Sequence, residues 1–408
     1  MNLGARGVDK MRILFLSQLL PYPPDAGAKV RSYYVLRWLA QKHQVTLLSF
    51  IRPDDKEENI KHLEQFCESV VTVPLRRSLL RDFRMLAVST LLNKSFIISR
   101  DTVAEMQAAV KAVLENTRFD AVHADQLWMA QYALLTHKLQ PSLKVILDEH
   151  NACFQIFERL SYREPNRLKR CLWKQEARKI KRYEVDVCQR FDRIVTVTDE
   201  DRITLETLTG RGDWLTIPIC VDTQAEQVVK VAQAQKNVLI LGTMYWPPNV
   251  EGVLWFGNEV WPILVEKVKG ISLTIVGKNP PQDVRRLEDR YPNVRVTGYV
   301  PDLQPLLDNA GVFVVPLLSG GGMRVKIVDA WRWGLPIVST GIGAEGIAYR
   351  DGENILIADN AQALADAISR VFIDSELARR LRENGRRWVE EQYEWSQVYA
   401  AWDVIYGT

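Results

Sequence analysis

A chain of 408 residues outgrows a single hydrophobic core, so two domains are expected. Its 47% hydrophobic and 25% charged residues exclude a disordered protein, and no run approaches the ~18 consecutive apolar residues of a membrane span. The net charge of +3 is unevenly spread: Lys and Arg lead Asp and Glu by 34 to 27 in residues 1–220 and trail them by 19 to 23 beyond. The basic excess gathers in Arg76–Arg84 and Arg163–Arg182, where it suits anionic lipid or a phosphate-bearing acceptor, or simply a solvated helix face. No nucleic-acid partner is expected. Five cysteines without CxxC spacing argue for a reducing compartment and against a disulfide framework or a zinc site.

In chain order, Met11–Pro24 is a polar-interrupted apolar run without a cleavage site, so it reads as a buried first strand and not a signal peptide. Strands are predicted at Arg12–Ser17, Val45–Phe50, Val70–Val73, Ala121–His123, Lys144–Leu147 and Arg193–Val197. Amphipathic helices are predicted between them at Lys29–Lys42, Glu57–Glu68, Thr102–Glu115, Leu168–Gln189 and Glu200–Leu208. Such strands, lacking polar alternation and separated by helices, form parallel sheets covered on both faces. A linker is expected near Pro218–Gln235, after which the alternation restarts. The second strand series is Val238–Gly242, Ser272–Gly277, Val294–Gly298, Gly311–Pro316, Pro336–Thr340 and Ile355–Ala358. Its helices are Asn249–Val268, Leu303–Asn309, Val325–Trp333, Ala361–Arg370 and Ser375–Gln392. The fold class is therefore α/β, two sequential Rossmann-like, doubly wound domains, with ligands expected beyond the carboxyl ends of the strands.

Val312–Thr340 reads strand, glycine loop, helix, turn, strand. Gly320, Gly321 and Gly322 let the backbone approach a ligand, helix amides follow, and Arg324 and Lys326 add two cations, a cradle suited to a diphosphate. Asp329, about one turn on, is placed to accept from ribose hydroxyls. A flexible turn with an incidental charged first turn is the competing reading. Asp199-Glu200-Asp201 has metal-binding D-x-D spacing, but it opens a helix behind Thr198, so it reads as a capped, dipole-matched first turn.

The second half resembles the retaining glycosyltransferases of family four, with the GT-B fold. The resemblance rests on Gly298 to Asp302, the strand ending at Pro316, the glycine loop, Gly334-Leu335-Pro336, Gly343 to Gly346, Asp351 to Asn354 and Tyr393-Glu394-Trp395. In outline it extends to the first strand, Gly27 and Arg31. It implies an acceptor-binding domain over residues 11–222 and a nucleotide-sugar-binding domain over 236–390. Residues 391–408 would pack back on the first domain, and an interdomain cleft is implied. The donor, UDP- or GDP-linked, would be a co-substrate with no cofactor and no metal. Donor-binding residues carried over are Gly27, Gly242, Thr243, Met244, Tyr299, Val300, Gly321, Gly322, Met323, Arg324, Val325, Lys326 and Asp329.

Two departures stand out. The first glutamate of the family's pair is Gly321 and the second is Asp329, and the loops that usually carry Arg and Lys read Gly242-Thr243 and Glu251-Gly252. Arg324 and Lys326 are the natural replacements and are expected to act catalytically, stabilising the leaving diphosphate. His123 stands at a strand end where the family often has a histidine near the sugar, and Asp125 where many members have a second; both are catalytic candidates. Glu149, His150, Asn151 and Trp246 are candidates for the cleft. The resemblance further implies retention and a glycan, lipid-linked or small-molecule acceptor; the cysteines and the basic stretches add the expectation of a cytoplasmic protein with peripheral membrane contact through its basic first domain. A non-catalytic sugar-binding relative is the rival; a nicotinamide oxidoreductase is disfavoured because no GxGxxG follows the first strand.

Overall fold

The computed structural model describes residues 10–76, 78–224, 229, 235–244 and 246–407. They form two compact α/β units, one comprising the chain up to Cys220 together with Ser396 onward, the other Val221–Trp395. Of the linker expected near Pro218–Gln235, residues 225–228 and 230–234 lie outside the described residues.

The first unit holds a parallel sheet of seven strands: β1 Arg12–Ser17, β2 Gln44–Ile51, β3 Ser69–Pro74, β4 Ala121–Asp125, β5 Lys144–Glu149, β6 Arg193–Thr196 and β7 Leu215–Thr216. Their order is β3-β2-β1-β4-β5-β6-β7. Five of the six residues in β1 and all five in β4 are buried, as expected where helices cover both faces. The second sheet has six strands: β8 Asn237–Leu241, β9 Ser272–Val276, β10 Val294–Thr297, β11 Val312–Val315, β12 Ile337–Ser339 and β13 Leu356–Ile357. Their order is β10-β9-β8-β11-β12-β13, again parallel. Both sheets start in the middle and reverse direction, at β1/β4 and at β8/β11. A crevice opens beyond the strand ends at such a switch point, so the two reversals fix where ligands can sit.

Residues 396–407 belong to the first unit, and their side chains fasten them there. Trp402 is fully buried, Trp38 Nε1 donates to Asp403 at 3.2 Å, and Lys42 pairs with the same carboxylate. The helix expected at Asn249–Val268 is interrupted. It runs as α-helix over Pro247–Trp255, widens to a π-turn at Phe256–Val260, and resumes at Trp261–Lys267. Pro262 is the reason, since it has no N–H to donate and its ring crowds the preceding turn. Helices not expected from the sequence occupy Leu79–Leu91, Ala130–Leu139, Cys153–Arg163 and Gln282–Arg290. The basic stretch Arg163–Arg182 is not one helix. It breaks at Glu164–Asn166, where the Asn166 side chain accepts from Leu168 N and Lys169 N and starts the helix Arg167–Arg190.

Candidate functional site

At the β8/β11 switch point, β11 runs into a loop that turns at Gly320 (φ 117°) and Gly322 (φ 73°), backbone that side chains rarely tolerate. The helix Val325–Trp333 follows directly, with the bounds expected. Lys326 projects from its first turn towards the end of β8. Its ammonium donates to Leu241 O and to Asn249 Oδ1, both at 3.0 Å, and Asn249 Nδ2 donates in turn to Thr243 O at 3.0 Å. Lys326 therefore ties the loop after β8 to the glycine loop's helix. Burial, with Arg324 close by, pushes this ammonium down to about 7. Gly277, at the end of β9, has no room for a side chain, because a Cβ there would lie 1.8 Å from Gly242 O.

Arg324 differs from the open cation expected. Its guanidinium is buried and folded onto its own loop, donating to Gly321 O, to Gly322 O at 3.2 Å and to Ile342 O at 3.4 Å. Glu345 lies 3.6 Å away. Arg324 thus braces the loop, whose carbonyls cluster on its guanidinium. Asp329 is also less open than expected: its carboxylate pairs with Arg332 at 3.2 Å, and burial raises its pKa. Glu251, near where the family resemblance leads one to expect lysine, accepts from Ser319 Oγ at 2.6 Å and so places a carboxylate beside the loop.

The remaining donor candidates divide by position. Gly242, Thr243, Gly321, Gly322 and Met323 are half-buried around the loops, and Trp246 is exposed next to them. Met244 and Val325 are buried, so only their backbones are available. Tyr299 (exposed) and Val300 follow β10, two strands away from β8. Gly27 lies in the first unit, as the first residue of the helix Gly27–Lys42. Leu241 and Asn249, which hold Lys326, carried no motif signal.

At the β1/β4 switch point, parallel register puts Ser17, Asp125 and Asp148 side by side on adjacent strands. Asp125 accepts from Ser17 Oγ and Ser32 Oγ, both at 2.7 Å, and pairs with His150 Nε2 at 2.9 Å. Asp148 takes a bidentate grip from Arg31, with Nε–Oδ2 at 2.9 Å and Nη2–Oδ1 at 3.0 Å. Burial opposes the charge on Asp148, but Arg31 and then His150 outweigh it and hold the carboxyl well below its usual range. His150 is likewise opposed by burial, yet Asp125 and Asp148 lift it to about 9, so the ring is an imidazolium. Arg31 and His150 thus serve the two carboxylates as internal counter-cations. Asp148 was not singled out in the sequence, since an apolar strand that ends in an acid gives no sign of which face it is on.

Two expected site residues are enclosed here. His123 is packed in the core of the first unit. Its ring stacks on Phe15 at 4.4 Å, touches Trp402 at 5.3 Å, and bonds Tyr406 Oη through Nδ1 at 2.9 Å, with no exposed surface. Burial pushes it down to about 4, so it is neutral. Glu149, a candidate for the cleft, is fully buried, and its side chain leaves on the face opposite Asp148 because consecutive strand residues alternate. It meets Cys153 Sγ at 3.6 Å and neighbours Glu184, and burial raises both glutamates. Asn151 is half-buried, and His150 keeps a small exposed edge. The Asp199-Glu200-Asp201 triplet opens a helix whose N-cap, Thr198, accepts from Asp201 N at 3.1 Å.

Two family models match this chain: "Glycosyltransferase Family 4" over residues 26–225 and "Glycosyl transferases group 1" over residues 235–374. A Klebsiella pneumoniae protein known only as a 44.6 kDa protein of the cps region is 24% identical over 403 residues, 96% of this chain and 98% of its own. A phosphatidyl-myo-inositol mannosyltransferase of Mycobacterium leprae is 27% identical over 191 residues, 46% of this chain and half of that protein. Among solved structures, Anabaena HepE in complex with UDP and glucose superposes with a TM-score of 0.67 over 98% of this chain and 100% of its own, at 13% identity.

Proposed function

Because the chain belongs to the family-four, group 1 glycosyltransferases, we propose that it moves a sugar from a UDP- or GDP-linked donor to an acceptor hydroxyl, with retention and without a metal ion. The products would be a polysaccharide or glycolipid, made at the cytoplasmic side of a membrane. The observation that carries the donor half of this reading is Lys326 at the β8/β11 switch point, beside a glycine-turned helix start. As the bond from the anomeric carbon to the diphosphate breaks, negative charge grows on the leaving group. An ammonium and helix amides already in place stabilise that charge without reorganising. Arg324 acts on this charge indirectly, by fixing the loop. The names of related proteins support the acceptor class: inositol-lipid mannosyltransferases and a capsular polysaccharide glycosyltransferase are among them. Five unpaired cysteines accord with a reducing compartment.

A second reading, a nucleotide-sugar binder without turnover, is favoured by one feature, Gly321 in place of the first glutamate. One experiment separates these readings. Binding and hydrolysis of UDP- and GDP-sugars are measured with and without EDTA. The proposed enzyme binds and turns over at least one donor in EDTA. Turnover that needs added magnesium or manganese overturns metal independence, and binding without turnover selects the binder.

A further inference from the structure

The helix Pro247–Trp255 meets the glycine-loop segment at two points of opposite character. Asn249 Oδ1 accepts from the Lys326 ammonium at 3.0 Å, and two residues on Glu251 accepts from Ser319 Oγ at 2.6 Å. Gly252 sets how close the helix comes. A Cβ there would lie 2.4 Å from Pro316 O, so the helix rests directly on the chain leaving β11. Ser319 is followed at once by Gly320, where the loop turns with φ 117°. The loop thus has a cation at its helix end and a carboxylate at its strand end. A hydroxyl partner orients that carboxylate without cancelling its charge. A carboxylate has about four lone-pair sites, so this one can accept further hydrogen bonds. Glu251 and Ser319 are both half-buried, which weakens screening by water.

Charge decides what each end can take. An ammonium at a helix start favours a diphosphate, and a carboxylate repels one. What a carboxylate favours is a hydroxyl, which donates to it. In a nucleotide sugar the hydroxyls belong to the two groups joined to the diphosphate, the ribose and the transferred sugar. Glu251 stands two residues from the side chain that holds Lys326, so a group bonded to a diphosphate at Lys326 comes next to it. A carboxylate also excludes. A second carboxylate brought against it in a partly desolvated site meets a like charge that neither water nor salt fully screens.

We propose that Glu251, oriented by Ser319, selects the charge of the transferred sugar: it accepts from the hydroxyls of a neutral sugar and rejects a uronic acid. This rests on the nucleotide-sugar reading above. Calorimetry on the full chain measures UDP, GDP, UDP-glucose, UDP-N-acetylglucosamine, GDP-mannose and UDP-glucuronate, each nucleotide sugar scored against its own free nucleotide. Wild type should favour at least one neutral sugar over glucuronate by about tenfold or more. Glu251→Gln keeps the shape and removes the charge. It should narrow that ratio by about tenfold, chiefly by admitting glucuronate, and change UDP and GDP affinity by no more than about twofold. Ser319→Ala should narrow the ratio less, since it only frees the carboxylate to move. Melting temperatures of both variants serve as folding controls. A wild type that favours glucuronate, or a ratio unmoved by Glu251→Gln, overturns the proposal. An equal loss for UDP and UDP-glucose would assign Glu251 to the ribose and overturn it as well. If wild type binds no nucleotide and no nucleotide sugar, the donor reading itself falls, and this inference with it.

Discussion

Lys326 combines an enclosed ammonium with a neighbouring guanidinium, and both disfavour its charge. A diphosphate beside it reverses that balance, so binding and protonation are linked. At pH 8, where the lysine is mostly neutral, binding of a nucleoside diphosphate should take up a fraction of a proton approaching one. At pH 6 the uptake should vanish. Calorimetry in buffers of different ionisation enthalpy reads this directly, and Lys326→Ala should remove the buffer dependence. If charge on the leaving group is its target, the same variant loses turnover beyond its loss of affinity, by about 2–4 kcal/mol of barrier. His150 obeys the opposite sign. Its folded pKa, about 9, exceeds the ordinary imidazole value near 6.5, so its ion pairs stabilise fully below pH 6.5 and fade as pH rises through 9. Denaturant titrations of wild type and His150→Gln should differ by at most about 3 kcal/mol near pH 6 and converge above pH 9. A difference independent of pH would make the ring a packing group only.

Elements were legible where one period dominated. The strand Arg12–Ser17 and the helices Val325–Trp333 and Ser375–Gln392 have the bounds that their apolar spacing predicts. The expected Lys144–Leu147 strand continues to Glu149 because its last two residues are acids, which propensity ends early and the buried ion pairs carry on. Gln282–Arg290 hides because only Val284 and Leu287 are buried in nine otherwise polar residues. Leu79–Leu91 hides for a different reason. Its basic residues drew attention to charge, and its leucine spacing would in any case have suggested a face turned inward.

For the whole molecule, the return of residues 396–407 to the first unit matters most. Trp402 lies 5.0 Å from the Arg31 guanidinium and 5.3 Å from the His123 ring, so it roofs the buried pairs that hold Asp148. Trp402→Ala should destabilise the first unit by about 3–5 kcal/mol, the range for emptying a large buried aromatic site. Urea unfolding followed by probes in each unit checks this: the first unit's transition should move and the second unit's should not. A shift of both would mean that the two unfold as one cooperative body.

The sequence by itself determined the α/β class, the two doubly wound sheets, the glycine loop and the family, because these depend on local period, turn chemistry and spacing along the chain. Only the tertiary structure decided that Arg324 braces its own loop, that His123 is core, that Asp148 and Glu149 part to opposite faces, and that the leucines of Leu79–Leu91 look outward. All of these turn on the direction of side chains in the folded chain, and the buried ion pairs also on residues far apart in sequence, such as Ser17, Asp125 and Asp148 meeting across three strands. Parallel register sets such meetings, and register is a property of the assembled sheet that no single segment carries.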